Sequence, residues 1–303
     1  MSKPALHGVC PVVATPFSET GAIDFESLRN EIEALAAGGN HAIVLFGVVS
    51  EFFKLSDTER RQVAEVVSKT AQQCELPLVI SVTHDATEIA VDWAQEYEEL
   101  GADALMIYPP SWLDPGPRAV CRHLTTVAEA VSLPVMVQYR QPDNPVIPPH
   151  MLAELSRDVE NIEYFKIETA NTGAYVSSLL NECDAEVLVG RAGYQMIDIF
   201  DRGGVGVIPA ASFHELYVAI YDAYESGDRE RAIELHNRLL PALNIISEAS
   251  IPLEKRVLSM RDIIDSPYCR QPMHVEPDDS HIAQLEEHYE DVVGLIARLS
   301  SPD

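Results

Sequence analysis

Lysine is the scarcest charged residue in this 303-residue chain. Five lysines (Lys3, Lys54, Lys69, Lys166 and Lys255) stand against 48 acidic residues, and the formal net charge is −27. A field of that sign repels phosphate backbones and anionic bilayers, so neither nucleic acid nor a membrane is an expected partner. An acidic, lysine-poor surface resembles that of proteins from salt-loving organisms, where salt screens the self-repulsion; the expectation is a halophilic protein. Cysteine is sparse too: Cys10, Cys74, Cys121, Cys183 and Cys269 are scattered, odd in number, and form no CxxC pair. That excludes a disulfide framework or a zinc site and suits a reducing cytoplasm. No apolar run approaches the roughly 18 residues of a membrane span. The opening MSKPALHGVCPVVATPF lacks the apolar core of a secretory leader. No GxGxxG follows the first apolar run, which argues against a dinucleotide-binding sheet.

What the chain does contain is alternation. Apolar runs occupy 8–15, 41–47, 77–83, 103–109, 134–139, 162–167, 185–190 and 205–210. Each is continuous, as expected of parallel strands buried on both faces. Between them lie amphipathic segments. IDFESLRNEIEALAAGG carries Leu28, Ile32 and Leu35 at helical spacing and closes on two glycines. SDTERRQVAEVVSKTA opens with Ser56 and Glu59, a capping box, and DATEIAVDWAQEYEELGA ends at Gly101. Eight strand–helix units within about 220 residues predict a (β/α)8 TIM barrel over residues 1–226. Residues 227–303 read as a C-terminal helical extension packed on the barrel: RERAIELHNRLLPALNII is helical, SPYCRQP breaks it, and DSHIAQLEEHYEDVVGLIARLSS forms the last helix.

Barrel enzymes place their chemistry at the C-terminal ends of the strands. Those ends include Gly47 to Glu51, Gln138-Tyr139, Lys166-Ile167-Glu168, Gly190-Arg191 and Ile208-Pro209. Lys166 is the only lysine between residues 70 and 254, and it ends an apolar strand. Burial disfavours the ammonium form, and a neutral amine attacks a ketone to form a Schiff base. The plainer alternative is a lysine that snorkels from a strand end.

The stretches GVCPVVATPFSETGAIDFESL, GVVSEFFKLSDTER, GADALMIYPP, LPVMVQY and NIEYFKIE together resemble the dihydrodipicolinate synthase/N-acetylneuraminate lyase family of Schiff-base barrels, over essentially the whole chain. The resemblance implies imine formation by Lys166, 2-keto acid substrates, no metal or organic cofactor, and a homotetramer. It assigns the substrate carboxylate to the loop that reads Gly47-Val48-Val49-Ser50-Glu51 here. Val48 and Val49 replace two hydroxyl donors but keep their main-chain N–H groups, and Ser50 adds one hydroxyl in place of a glycine. Ser50 is a candidate catalytic donor or, alternatively, a loop cap; Glu51 reads as a support beneath the loop. Gly190 and Ile208 are expected at the substrate site by their strand-end positions.

Two departures bear on the reaction. Most family members carry a proton-shuttling tyrosine directly after Leu-Pro and three apolar residues. Here Gln138 follows Leu133-Pro134-Val135-Met136-Val137, and Tyr139 comes one place later. Successive strand residues face opposite sides, so either a bulge restores Tyr139 or Gln138 takes its place; the spacing favours Gln138. The synthase's arginine has no match in RQPDNP unless Arg140 has shifted. Glu168 lies two residues from Lys166, so a regular strand gives both the same facing, and its carboxylate could take a proton from C3 of a bound imine. The alternative for Glu168 is a salt-bridged strand end.

This combination, with SVTHDAT, is similar to the L-2-keto-3-deoxyarabonate dehydratase branch of the family. That implies a hydro-lyase converting a 2-keto-3-deoxypentonate to 2,5-dioxopentanoate in oxidative pentose degradation. Lys166 forms the imine, Glu168 or a water it orients takes the C3 proton, and a donor such as Ser50 or Tyr139 helps the C4 hydroxyl leave. An aldolase for 2-keto-3-deoxy sugar acids, or a 5-dehydro-4-deoxyglucarate-type dehydratase, is the nearest alternative. A non-catalytic keto-acid binder on the same fold is a third.

Overall fold

The computed structural model describes residues 6–299 apart from 113–114, 142–145 and 274. Residues 1–5, part of the opening read above for a leader, and 142–145 of RQPDNP lie outside the described residues. Among those described, eight strands alternate with eight helices: β1 Gly8–Val9, α1 Phe25–Ala37, β2 Ile43–Leu45, α2 Asp57–Gln73, β3 Leu78–Val82, α3 Thr87–Glu99, β4 Ala104–Ile107, α4 Pro117–Glu129, β5 Val135–Arg140, α5 Pro149–Asp158, β6 Ile162–Glu168, α6 Thr172–Leu180, β7 Glu186–Val189, α7 Met196–Asp201, β8 Gly206–Val207 and α8 His214–Glu225. Three helices follow, α9 Arg229–Ala249, α10 Ile251–Met260 and α11 Asp279–Leu299. This is the (β/α)8 barrel with a C-terminal helical extension.

The described chain divides into two compact units: 6–7 with 77–208, and 8–76 with 209–299. In the first unit β3 to β8 lie side by side in chain order, every pair parallel. One row reads Val82, Ile107, Val137, Phe165 and Val187; the next pairs Gln138 with Lys166, Lys166 with Leu188 and Leu188 with Gly206. Helices cover the outward side through Ala90, Trp93, Tyr97, Leu124, Val127, Leu152 and Leu179, all buried. That double covering is why the strands read as continuous apolar runs.

In the second unit, Asp24 caps α1 by accepting from Glu26 and Ser27 N–H, and Ser56 and Glu59 complete the expected capping box of α2. The first apolar run is shorter as a strand than its 8–15 span suggests. Pro11 has no N–H, so the ladder continues only as Val12 bridged to Val44 and to Ala210. The extension begins with α9, which packs on α8 and α11. Its sequence reading missed α10. Ser250 breaks the helical path with φ 56° and ψ −115°, a one-residue corner with no glycine to announce it.

Candidate active site

Lys166 and Glu168 stand on the same face of β6, both almost fully buried. The Lys166 Nζ lies 4.0 Å from Glu168 Oε2. Gln138, beside Lys166 in the β5–β6 ladder, donates from Nε2 to Glu168 Oε2 at 2.6 Å. The main-chain N–H of Arg191 donates to Glu168 Oε1 at 2.9 Å. Burial pushes the Lys166 amine below the usual lysine range; Glu168 opposes this and Arg140 adds to it. Burial alone would raise Glu168, but Lys166, the Arg191 N–H, the Gln138 amide and Arg140 together hold its carboxyl below the usual range.

The strand β5 carries Gln138 and Tyr139 to opposite sides. Gln138 pairs with Lys166 and bonds to Glu168, whereas Tyr139 pairs with Ile167. The ladder has one register irregularity, between Val135 and Met136, upstream of both. The Tyr139 hydroxyl accepts from Ile147 N–H at 2.9 Å and from Gln141 Nε2 at 2.8 Å, and its ring lies 5.3 Å from that of Tyr175 on α6. It is fully buried.

Gly190 directly follows β7, and the Glu168 carboxylate rests against it so closely that a Cβ at 190 would overlap Oε1, Cδ and Cγ. Ile208 directly follows β8, is buried, and donates its N–H to Val189 O at 2.8 Å. Sequence reasoning found Lys166, Glu168 and Gln138 but missed the Arg191 amide. No residue-type signal marks it, because its direction depends on the backbone of Arg191, which has φ 48°.

The 47–51 loop belongs to the second unit. It forms two short helical turns, Val48–Ser50 and Phe52–Lys54, joined at Glu51 with φ 50°. Val48 is partly exposed and Val49 half-buried. Ser50 is buried; its Oγ donates to the Val13 carbonyl, and its own carbonyl accepts from Thr15 Oγ1 at 2.6 Å. The Ser50 proton is thus engaged within the loop's own support. Glu51 is fully buried and takes Lys54 Nζ at 2.7 Å and the Nζ of Lys255, on α10. Lys255 is the pairing that the sequence did not reveal. The one cue was a lysine inside the apolar stretch IPLEKRVL. Among the described residues no cluster of three His, Cys, Asp or Glu side chains could hold a metal ion. No described helix is long and apolar enough to cross a membrane.

A model of the dihydrodipicolinate synthetase family matches residues 5–290. The chain belongs to that family. It is 28% identical over 281 residues to a 4-hydroxy-tetrahydrodipicolinate synthase of Methanopyrus kandleri, covering 91% of this chain and 93% of the relative. It is 24% identical over 289 residues to an L-2-keto-3-deoxyarabonate dehydratase of Azospirillum brasilense, covering 91% and 92%. A crystal structure of a dihydrodipicolinate synthase superposes with a TM-score of 0.88 at 27% identity, covering 96% of this chain and all of that one. Members of the dihydrodipicolinate synthetase family are lyases that act through a lysine Schiff base.

Proposed function

We propose that this chain is a hydro-lyase that dehydrates L-2-keto-3-deoxyarabonate, a 2-keto-3-deoxypentonate, to 2,5-dioxopentanoate through an imine on Lys166. The observation that carries the reading is the buried Glu168 carboxylate 4.0 Å from the Lys166 amine, with an amide rather than a phenol beside it on β5. The relative named as a dehydratase supports it.

The steps follow from these groups. The Lys166 amine adds to C2 of the keto acid and water leaves, forming a protonated imine. The imine withdraws electrons from C3. Glu168 takes a C3 proton, and the C3–H electron pair becomes the C2=C3 bond of an enamine. The enamine then expels the C4 hydroxyl, to which Glu168 returns the proton, so one water is lost. A proton then moves from C5 to C3, giving a C4=C5 enol, and the enol's O–H proton moves to C4, leaving the terminal aldehyde. Hydrolysis of the imine releases the product and restores Lys166. No step requires a metal or an organic cofactor. The same reading sets the enzyme in the cytoplasm as a homotetramer within oxidative pentose degradation.

The resemblance to a synthase at slightly higher identity favours a second reading, in which the enamine forms or breaks a carbon–carbon bond at C3. Mass analysis of products from L- and D-2-keto-3-deoxypentonates separates the two. The semialdehyde supports elimination; pyruvate establishes cleavage and overturns the dehydratase reading.

A further inference from the structure

Glu168 is held on three sides. Gln138 donates to Oε2 at 2.6 Å and the Arg191 N–H to Oε1 at 2.9 Å, while the carboxylate fills the space that a Cβ at Gly190 would take. The amide reaches Glu168 through an unfavourable backbone. Arg191, Ala192 and Gly193 have φ of 48°, 51° and 71°, a left-handed run in which two residues carry side chains. Such strain in non-glycine residues gathers at functional sites. The run is closed by Gly193 N–H on Gly190 O at 3.0 Å and Tyr194 N–H on Arg191 O at 3.2 Å; the Arg191 guanidinium reaches Thr169 O at 3.4 Å.

We propose that Gln138 and Gly190 are positioning residues: with the Arg191 amide they form a rigid cradle that aims the ionised Glu168 carboxylate at C3 of the Lys166 imine, and Gln138 does not contact the substrate. The inference rests on the imine reading above. Its chemistry is specific. A carboxamide donates a hydrogen bond but cannot supply a proton, so Gln138 orients the carboxylate without neutralising it. Each Glu168 oxygen receives one strong donor and keeps a lone pair for the substrate proton. The charged groups that act on Glu168 are Lys166 on its own strand and Arg140 on β5, both cationic. When C3 is deprotonated, the imine nitrogen and Glu168 lose their charges together, and the neutral amides keep the acid in place for its return step.

The test uses pyruvate as a probe, because its C3 is a methyl group whose exchange with deuterium reports imine formation and C3 deprotonation without any leaving group. Wild-type protein in D2O is expected to exchange the pyruvate methyl protons and to be trapped on Lys166 by borohydride. Gln138→Leu and Gly190→Ala are expected to keep the trapping and to slow exchange by about tenfold or more, up to the roughly 10²–10⁴-fold that the general base itself contributes. In Gln138→Leu the acid limb of the exchange rate moves to higher pH, because the charged carboxylate has lost a donor. A merely structural residue would not move that limb. Gln138→Leu with an unchanged limb and rate at saturation, but a raised pyruvate requirement, makes Gln138 a substrate contact and overturns the proposal. Full exchange in Gly190→Ala overturns it as well. If one variant does not fold, the other decides. Failure of the imine reading looks different: the wild type itself would neither be trapped nor exchange.

Discussion

In the β5–β6 ladder Gln138 stands beside Lys166, and Tyr139 stands beside Ile167. One residue of register thus separates an amide facing the amine from a phenol facing α6. A carboxamide cannot shuttle a proton, whereas the Glu168 carboxylate, 4.0 Å from the Lys166 amine on that face, can take one.

Tyr139→Phe should therefore cost stability more than turnover. The change deprives the Ile147 N–H of its acceptor, and a buried unpaired donor costs about 1–3 kcal/mol. Denaturant melts should show that loss, while kcat falls less than about a hundredfold, below the range typical of a lost acid–base group. A dead but stable Tyr139→Phe enzyme would place the phenol in the chemistry.

Lys255→Met should be strongly destabilising. Lys255 is fully buried, bonded to Glu51 and to Tyr268 O at 3.2 Å, and its ammonium lies 4.3 Å from the centre of the Phe17 ring. Removing one partner of a buried pair costs about 3–5 kcal/mol. The double variant Glu51→Gln, Lys255→Met should recover part of that loss in a urea melt; strictly additive losses would deny the pairing.

Glu31 gives a pH-dependent expectation. Burial raises its carboxyl from 4.5 to about 8, against opposing help from the Ala14 N–H, which donates to Oε1 at 2.9 Å, and from Lys255. Between those values the unfolded chain has released the proton and the folded chain still holds it, so this group's contribution falls as pH rises from 4.5 towards 8. Glu31→Gln keeps the acceptor and removes the titration. Its stability relative to wild type should therefore rise across that interval in melts at several pH values. A constant difference would mean that Glu31 is ionised in the folded protein.

Salt should raise the melting temperature. With a net charge of −27, self-repulsion opposes folding at low ionic strength. Going from about 0.1 to about 1 M KCl shortens the screening length from about 10 to about 3 Å. A flat melting curve over that range would remove the halophilic expectation and leave the chemistry untouched.

Much of this was legible in the sequence because period and spacing translate directly into facing. Continuous apolar runs gave the parallel strands, and the two-residue step from Lys166 to Glu168 placed amine and carboxylate together. The one-residue offset of Tyr139 was visible in the same way, although only the register decides its direction. Features set by backbone angles were not legible. Arg191 and Ala192 adopt left-handed angles against their own preference, so nothing in their identity foretells an amide aimed at Glu168. The Ser50 hydroxyl could be read as a catalytic donor because its partner, Val13 O, is 37 positions away in the chain.

The most direct test of the central claim is borohydride reduction in the presence of L-2-keto-3-deoxyarabonate, followed by peptide mass analysis. Lys166→Arg serves as the control, since arginine keeps the charge but cannot become a neutral amine. One reduced adduct is expected, on Lys166, and none in Lys166→Arg. An adduct on Lys255, the other buried lysine among the described residues, or no adduct while the semialdehyde still accumulates, would contradict it.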